Sequence, residues 1–205
     1  MAGNYAGDPG GGGYDVGGGF AAMGGVTTFV RTKIYSNRAK HSAGALSLNG
    51  AQMAMYDSEI FDNEAQNNGV MSTYGSIVAA FYNVVIRNNR ATGTGGCGGI
   101  SLSTFAPSPT VSFENCTLTG NQEIEANTCA GYANGQPTGC TYVDSDLRIE
   151  NNALVCVHEN TWAGTAPVLD PDTLSTSTNW TTCSSPPPSM PPAPPLPPPS
   201  PPKPP

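Results

Sequence analysis

The stretch Phe29 to Ala39 reads FVRTKIYSNRA, and its pattern returns at Met55 to Ala65 (MYDSEIFDNEA) and at Phe81 to Ala91 (FYNVVIRNNRA). Asn37, Asn63 and Asn89 stand 26 residues apart. Two further copies follow at longer spacing: FENCTLTGNQE from Phe113, carrying Asn121, and DSDLRIENNAL from Asp144, carrying Asn152. Registered on the asparagine, the copies form columns. Three residues before it stand Ile34, Ile60, Ile86, Leu118 and Ile149, and five before it Thr32, Ser58, Val84, Cys116 and Leu147. Eight before it stand Phe29, Met55, Phe81, Phe113 and, out of pattern, Asp144. Small or glycine-rich steps follow, as in Gly44-Ala45-Leu46 and Gly98-Gly99-Ile100.

Self-similarity at a fixed period of this length marks stacked repeats. Positions three and five before the asparagine share parity, so they face one side of a strand. The column at eight has the other parity, so a corner must separate it if both face the core. Strand, corner, strand and an asparagine at the next corner describe one coil of a parallel β-solenoid, with equivalent residues about 4.8 Å apart. Each such asparagine is expected to accept left-handed backbone geometry and to pass amide hydrogen bonds to the asparagine of the next coil. That would satisfy corner groups otherwise buried unpaired. An antiparallel β-sandwich with regular turns is the competing arrangement, and the aliphatic column held in all five copies favours stacking. Helices are excluded by the dominance of Gly, Asn, Thr and β-branched residues without a 3.6-residue stripe.

The register extends upstream. Asn4-Tyr5-Ala6 matches Asn37-Arg38-Ala39, and Gly17-Gly18-Gly19-Phe20 matches the glycine step after Asn89. Residues 1–25 therefore read as a Gly-rich segment and the remnant of an upstream coil, with a flexible leader as the alternative. Residues 26–162 follow as the repeat, 163–185 as a Ser/Thr-rich connector and 186–205 as a Pro-rich tail holding 14 of the 20 prolines. Proline fixes φ and lacks a donor, so the tail should be a polyproline II helix of about 60 Å at ~3.1 Å per residue. A solvated linker or a ligand for an SH3-type domain are its other readings.

Charged residues are 11% of the chain and the net charge is −7, which leaves no electrostatic footprint for nucleic acid or anionic lipid. No apolar run approaches the ~20 residues of a membrane helix. Six cysteines and the sequons Asn115-Cys116-Thr117 and Asn179-Trp180-Thr181 point to an oxidising, glycosylating compartment. The opening MAGNY is not a secretion signal, so the chain is expected to be a piece of a longer secreted protein. Cys97 and Cys129 each lie 8 residues past their asparagine, an equal offset that would suit a disulfide between successive coils. Cys156 would then join Cys183 and Cys116 would join Cys140. Cys129 with Cys140 is the main competitor among the 15 connectivities open to six cysteines.

The repeat pattern, an aromatic, an aliphatic, Asn, small-x-Ala and then Gly-Gly-Ile or Gly-Ala-Leu, resembles right-handed parallel β-helix repeats of pectate-lyase-like and polymorphic outer-membrane-protein-like proteins. The resemblance covers roughly Asn4 to Trp162. The tail from Ser184 resembles hydroxyproline-rich glycoproteins of green-algal and plant cell walls, of pherophorin type, or the mastigoneme filaments of cilia. It implies hydroxylation and O-glycosylation at prolines such as Pro187, Pro188, Pro192, Pro198, Pro199 and Pro202. The expected fold is thus all-β, a right-handed parallel β-helix of about five coils followed by a polyproline II tail. The expected role is a structural or interaction component of an extracellular glycoprotein assembly in a cell wall, matrix or ciliary surface. Its partners would be other extracellular glycoproteins, copies of itself or polysaccharide, without nucleic acid, membrane insertion or cofactor.

β-Helices also host polysaccharide lyases and hydrolases, which need converging carboxylates or a calcium-binding acidic cluster. The candidate acids are Asp57, Glu59, Asp62 and Glu64 in one coil, and Asp144, Asp146 and Glu150 in the last. Stacking would instead place Arg31 over Asp57 and Lys33 over Glu59 as cross-coil ion pairs. His41 and His158 are far apart in register, and no nucleophile triad or metal-ligand spacing is visible, so a catalytic role is not expected. A carbohydrate-binding module is the intermediate reading. Tyr56 and Tyr82, level in adjacent coils, could stack on sugars or simply on each other.

Overall fold

The computed structural model describes residues 1–6, 17–94, 97–102 and 110–124. Beyond these it describes strands at 131–133, 136–138, 142–144, 147–149, 154–158, 161–163 and 180–181. The described residues are all-β, and their strands assemble into four mainly parallel sheets and one two-stranded antiparallel sheet. The first sheet holds Tyr5–Ala6, Arg38–Ala39, Glu64–Ala65, Arg90–Thr94 and Gln122–Ile124, and the second holds Phe20–Met23, Leu46–Asn49, Met71–Tyr74, Ile100–Leu102 and Leu147–Ile149. The third holds Val26–Val30, Gln52–Tyr56, Val78–Tyr82, Thr110–Glu114, Leu154–His158 and Trp180–Thr181. Lys33–Tyr35, Glu59–Phe61, Val85–Arg87, Thr117–Thr119 and Thr161–Ala163 form the fourth. From Tyr5 to Ile124 the chain visits the sheets in this fixed rotation, and each return lays a strand beside its predecessor in register: Ile34 faces Ile60, Ile60 faces Ile86, and Ile86 faces Leu118.

Local chemistry explains the corners. Six residues before each asparagine the backbone is left-handed, at Arg31, Asp57, Asn83 and Asn115, with φ between 47° and 53°. One residue before it the same geometry recurs at Ser36, Asp62 and Asn88, each with φ 54°, and at Gly120. Short polar side chains tolerate this region best, and three of the first four residues and all of the non-glycine residues in the second column are of that kind. The expectation that the repeated asparagine itself takes left-handed geometry is corrected. The turn is made by its predecessor, which frees the asparagine side chain to point inward.

The corner after the first sheet depends on glycine for another reason. A Cβ on Gly18 would meet the carbonyl oxygens of Arg38 and Gly44 at 2.5 Å, and one on Gly44 would meet that of Gly69 at 2.5 Å. Here consecutive turns touch backbone to backbone.

The core lies between the sheets. Phe29, Met55, Phe81 and Phe113 from the third sheet meet Ile34, Ile60, Ile86 and Leu118 from the fourth and Leu46, Met71 and Ile100 from the second. The Phe81 and Phe113 rings stack at 5.1 Å. Fully burying side chains of this size is worth about 1.5–3 kcal/mol each.

The fifth copy is corrected. Leu147–Ile149 pairs with Ile100–Leu102 in the second sheet, not with the column of Ile86 and Leu118. Phe113 faces Val157 rather than Asp144, and Leu118 faces Trp162 rather than Ile149. Tyr142–Asp144 lies antiparallel on Gln122–Ile124, after a hairpin of Gly131–Ala133 and Gln136–Thr138. The inserted segment therefore adds its own strands before the rotation resumes, and an asparagine-registered alignment cannot see them. The expected connector, 163–185, contributes the strand Trp180–Thr181 to the third sheet.

Candidate functional site

Between the fourth and first sheets runs a row of amides, exposed at Asn4 and buried from Asn37 to Asn121. Asn4 Nδ2 donates to Asn37 Oδ1 at 2.9 Å, Asn37 to Asn63 at 3.0 Å, Asn63 to Asn89 at 2.9 Å and Asn89 to Asn121 at 2.8 Å. Each Oδ1 also accepts the backbone N–H of the preceding asparagine, at 3.0–3.1 Å. The second amide hydrogen of Asn63, Asn89 and Asn121 reaches Ile34 O, Ile60 O and Ile86 O. Asn152 lies outside the described residues.

Outside this row the same corner presents a groove of about 680 Å³ along the stack. One wall is the left-handed column Ser36, Asp62, Asn88 and Gly120, and the other is Arg38, Glu64, Arg90 and Gln122. Glu64 lies between two cations, with Arg38 Nε at 3.8 Å and Arg90 bound to its other oxygen. Asp62 and Asn88 keep side-chain hydrogen-bonding capacity toward solvent. The sequence reading named Asp62 and Glu64 as acids but missed the groove, since its second wall is visible only when residues after the asparagine are registered as well.

The outer face of the fourth sheet carries a second ladder. Lys33 Nζ lies 2.9 Å from Glu59 Oε1, as stacking anticipated, and Arg87 reaches the other oxygen at 3.6 Å. The hydrogen bond from Lys33 holds the Glu59 carboxyl below the usual range against the opposing effect of burial. Tyr35 and Phe61 stack at 4.9 Å, and the Arg87 guanidinium lies 4.4 Å from the Phe61 centroid, a cation–π contact. The expected Arg31–Asp57 pair is not formed. Asp57 Oδ1 instead accepts from Asn83 Nδ2 at 2.7 Å, its neighbour on the other side in the same left-handed column.

Tyr56 and Tyr82 stack at 5.0 Å on the outer face of the third sheet. Burial raises the pKa of both hydroxyls, and for Tyr82 the charges of Tyr56 and Glu114 add to it. Asn115, of the first sequon, is exposed at a left-handed corner. Cys116 is buried in the core with its sulfur donating to Glu114 O and Phe81 O, and burial pushes its pKa to about 11. Cys97 is also buried, and Cys156 lies in the strand Leu154–His158. Cys129, Cys140, Cys183, Asn179, Asp146, Glu150 and the tail prolines lie outside the described residues. Among the described residues no three of His, Cys, Asp or Glu are placed to share a metal ion, and no helix is long and apolar enough to cross a membrane. No protein family matches the chain, and no curated protein or solved structure is significantly similar to it.

Proposed function

We propose that this chain is a stiff structural and interaction module of an extracellular glycoprotein assembly, in a cell wall, matrix or ciliary surface. In this reading the four sheets are the walls of a right-handed parallel β-helix of about five coils, and the proline-rich end is a polyproline II tail that carries hydroxyproline glycans. The observation that carries the reading is the fate of the polar groups. The amide row is spent on holding one turn to the next, and Glu59 and Glu64 are each neutralised by cations from the turns on both sides. Such ladders stiffen a stack and leave neither carboxylate poised as an acid or base. Exposed Asn115 suits an N-glycan, and disulfides among the six cysteines would fasten the later turns. Material purified from its source should exceed the 21.1 kDa of the polypeptide by attached glycan and should contain hydroxyproline. A bare polypeptide mass with unmodified proline would refute the assignment.

The corner groove favours one second reading, a carbohydrate-binding module. Its unused groups at Ser36, Asp62 and Asn88 repeat once per strand spacing and could meet successive sugar hydroxyls. Retention of a neutral glycan on an array, lost in Asp62→Ala, would support it.

A further inference from the structure

The charges of this chain change sign from one turn to the next. Between residues 31 and 40 all four are basic, between 57 and 64 all four are acidic, and between 83 and 92 both are basic. The strands that carry them are neighbours in register. The surface around the asparagine corner is therefore banded positive, negative and positive, at about 4.8 Å per band. Glu59 and Glu64 use part of this pattern within the chain. Asp62 does not. It stands exposed on one wall of the corner groove and enters no ion pair among the described residues. Arg38, on the opposite wall one turn earlier, has a side chain 65% exposed and reaches Glu64 only at 3.8 Å.

We propose that this corner pairs with the same corner of a second copy, groove to groove, about a two-fold axis over the step from Asn37 to Asn63. The inference rests on the interaction reading given above and names the partner. The banding selects it. A polymer of uniform charge would gain at one band what it loses at the next. A fitting partner must alternate in charge at the strand spacing, and a second stack of this chain does. The direction of pairing follows as well. A two-fold axis along the stack would set like bands level with each other. An axis across the stack, placed between the first two bands, reverses the partner and lays positive on negative twice. The same reversal exchanges the walls of the groove. Asp62 of each copy then faces Arg38 of the other, and Glu64 of each faces the Ser36 hydroxyl of the other. Exposed ion pairs are individually weak, so the contact should be reversible and governed by concentration.

Sedimentation velocity of the full chain, made without glycans, tests this. The parent should pass from monomer to dimer as concentration rises and should stop there, because a two-fold contact closes. Asp62→Arg sets two cations against each other and Arg38→Asp two anions, so each variant alone should dimerise several-fold more weakly. An equimolar mixture of the two variants puts a cation opposite an anion at both places, and mixed dimers should return. Pairing within one chain cannot produce that rescue. A parent that stays monomeric, growth past the dimer, a variant that dimerises like the parent or a mixture without rescue would each overturn the proposal. Both side chains are exposed, so the variants should keep the parental circular dichroism. If either does not fold, Arg38→Gln and Asp62→Asn, which remove charge without reversing it, decide instead: weaker dimers support the contact and unchanged dimers sink it. Failure here leaves the glycoprotein reading standing, since glycan and hydroxyproline in source material decide that one.

Discussion

A primary amide in a stacked corner donates upward and accepts from below, so one asparagine can serve two neighbours at once. Asn63 does so fully. Its oxygen takes Asn37 Nδ2 and the Asn37 N–H, and its nitrogen gives to Asn89 Oδ1, Ile34 O and Phe61 O. Asn63→Leu keeps a similar volume but strands several of these buried groups, so it should destabilise the protein by about 1–3 kcal/mol, read from urea denaturation. An unchanged midpoint would mean that the row is ornamental. Gly44→Ala probes the neighbouring corner. Its new methyl would lie 2.5 Å from Gly69 O and 2.7 Å from Glu64 N, both backbone, so neither can swing aside. A loss on the order of 1–3 kcal/mol is expected, as for overpacking, measured in the same way. Cys116 gives a chemical readout at this scale. With its thiol pKa near 11, it stays protonated at neutral pH, and since the thiolate is the nucleophile, iodoacetamide should label it far more slowly in reduced, folded protein than after unfolding.

At the scale of the element, parity was legible and count was not. The columns at three and five residues before the asparagine differ by two, which correctly turns most of both inward, although Thr32, Ser58, Val84 and Cys116 prove to lie at the corner just ahead of the strands rather than within them. Ile34, Ile60, Ile86 and Leu118 are all buried accordingly. Leu147 and Ile149 satisfy the same test, but so does any inward pair of any strand. Only pairing partners distinguish the second sheet from the fourth, and the inserted hairpin conceals how many strands have passed. The groove was missed for a related reason, since exposed columns carry no hydrophobic signature. What the ladders contribute can be read from pH. The Glu59 carboxyl is depressed in the fold, chiefly by the hydrogen bond from Lys33. Its contribution is therefore present above the unfolded carboxyl pKa, ~4.3, and is lost as pH falls through the lower folded value. Lys33 is well exposed, so the contribution should be at most about 1 kcal/mol. Glu59→Gln should shrink the difference in stability between neutral and acidic pH by that amount, and a variant with the parental pH profile would show the ladder to be inert.

At the scale of the whole molecule, nearly every strand contact among the described residues is with the neighbouring strand of its own sheet, as expected if the repeats stack in one dimension. Stability then sums over repeats and their interfaces, and a whole repeat can be removed where part of one cannot. The pairing of Arg38 with Glu64 and of Ile34 with Ile60 defines the unit as 26 residues. Deleting residues 38–63 would join Asn37 to Glu64, bring Glu64–Ala65 beside Tyr5–Ala6 and leave every inward column in phase. That protein should fold with the same β-rich circular dichroism and a lower melting temperature. Deleting residues 39–63 instead removes 25 and puts every later strand one residue out of phase with its neighbours before the cut, turning its apolar side chains to solvent. It should fail to fold or should aggregate. If both deletions melted alike, the fixed rotation among the sheets would not be what holds this chain together.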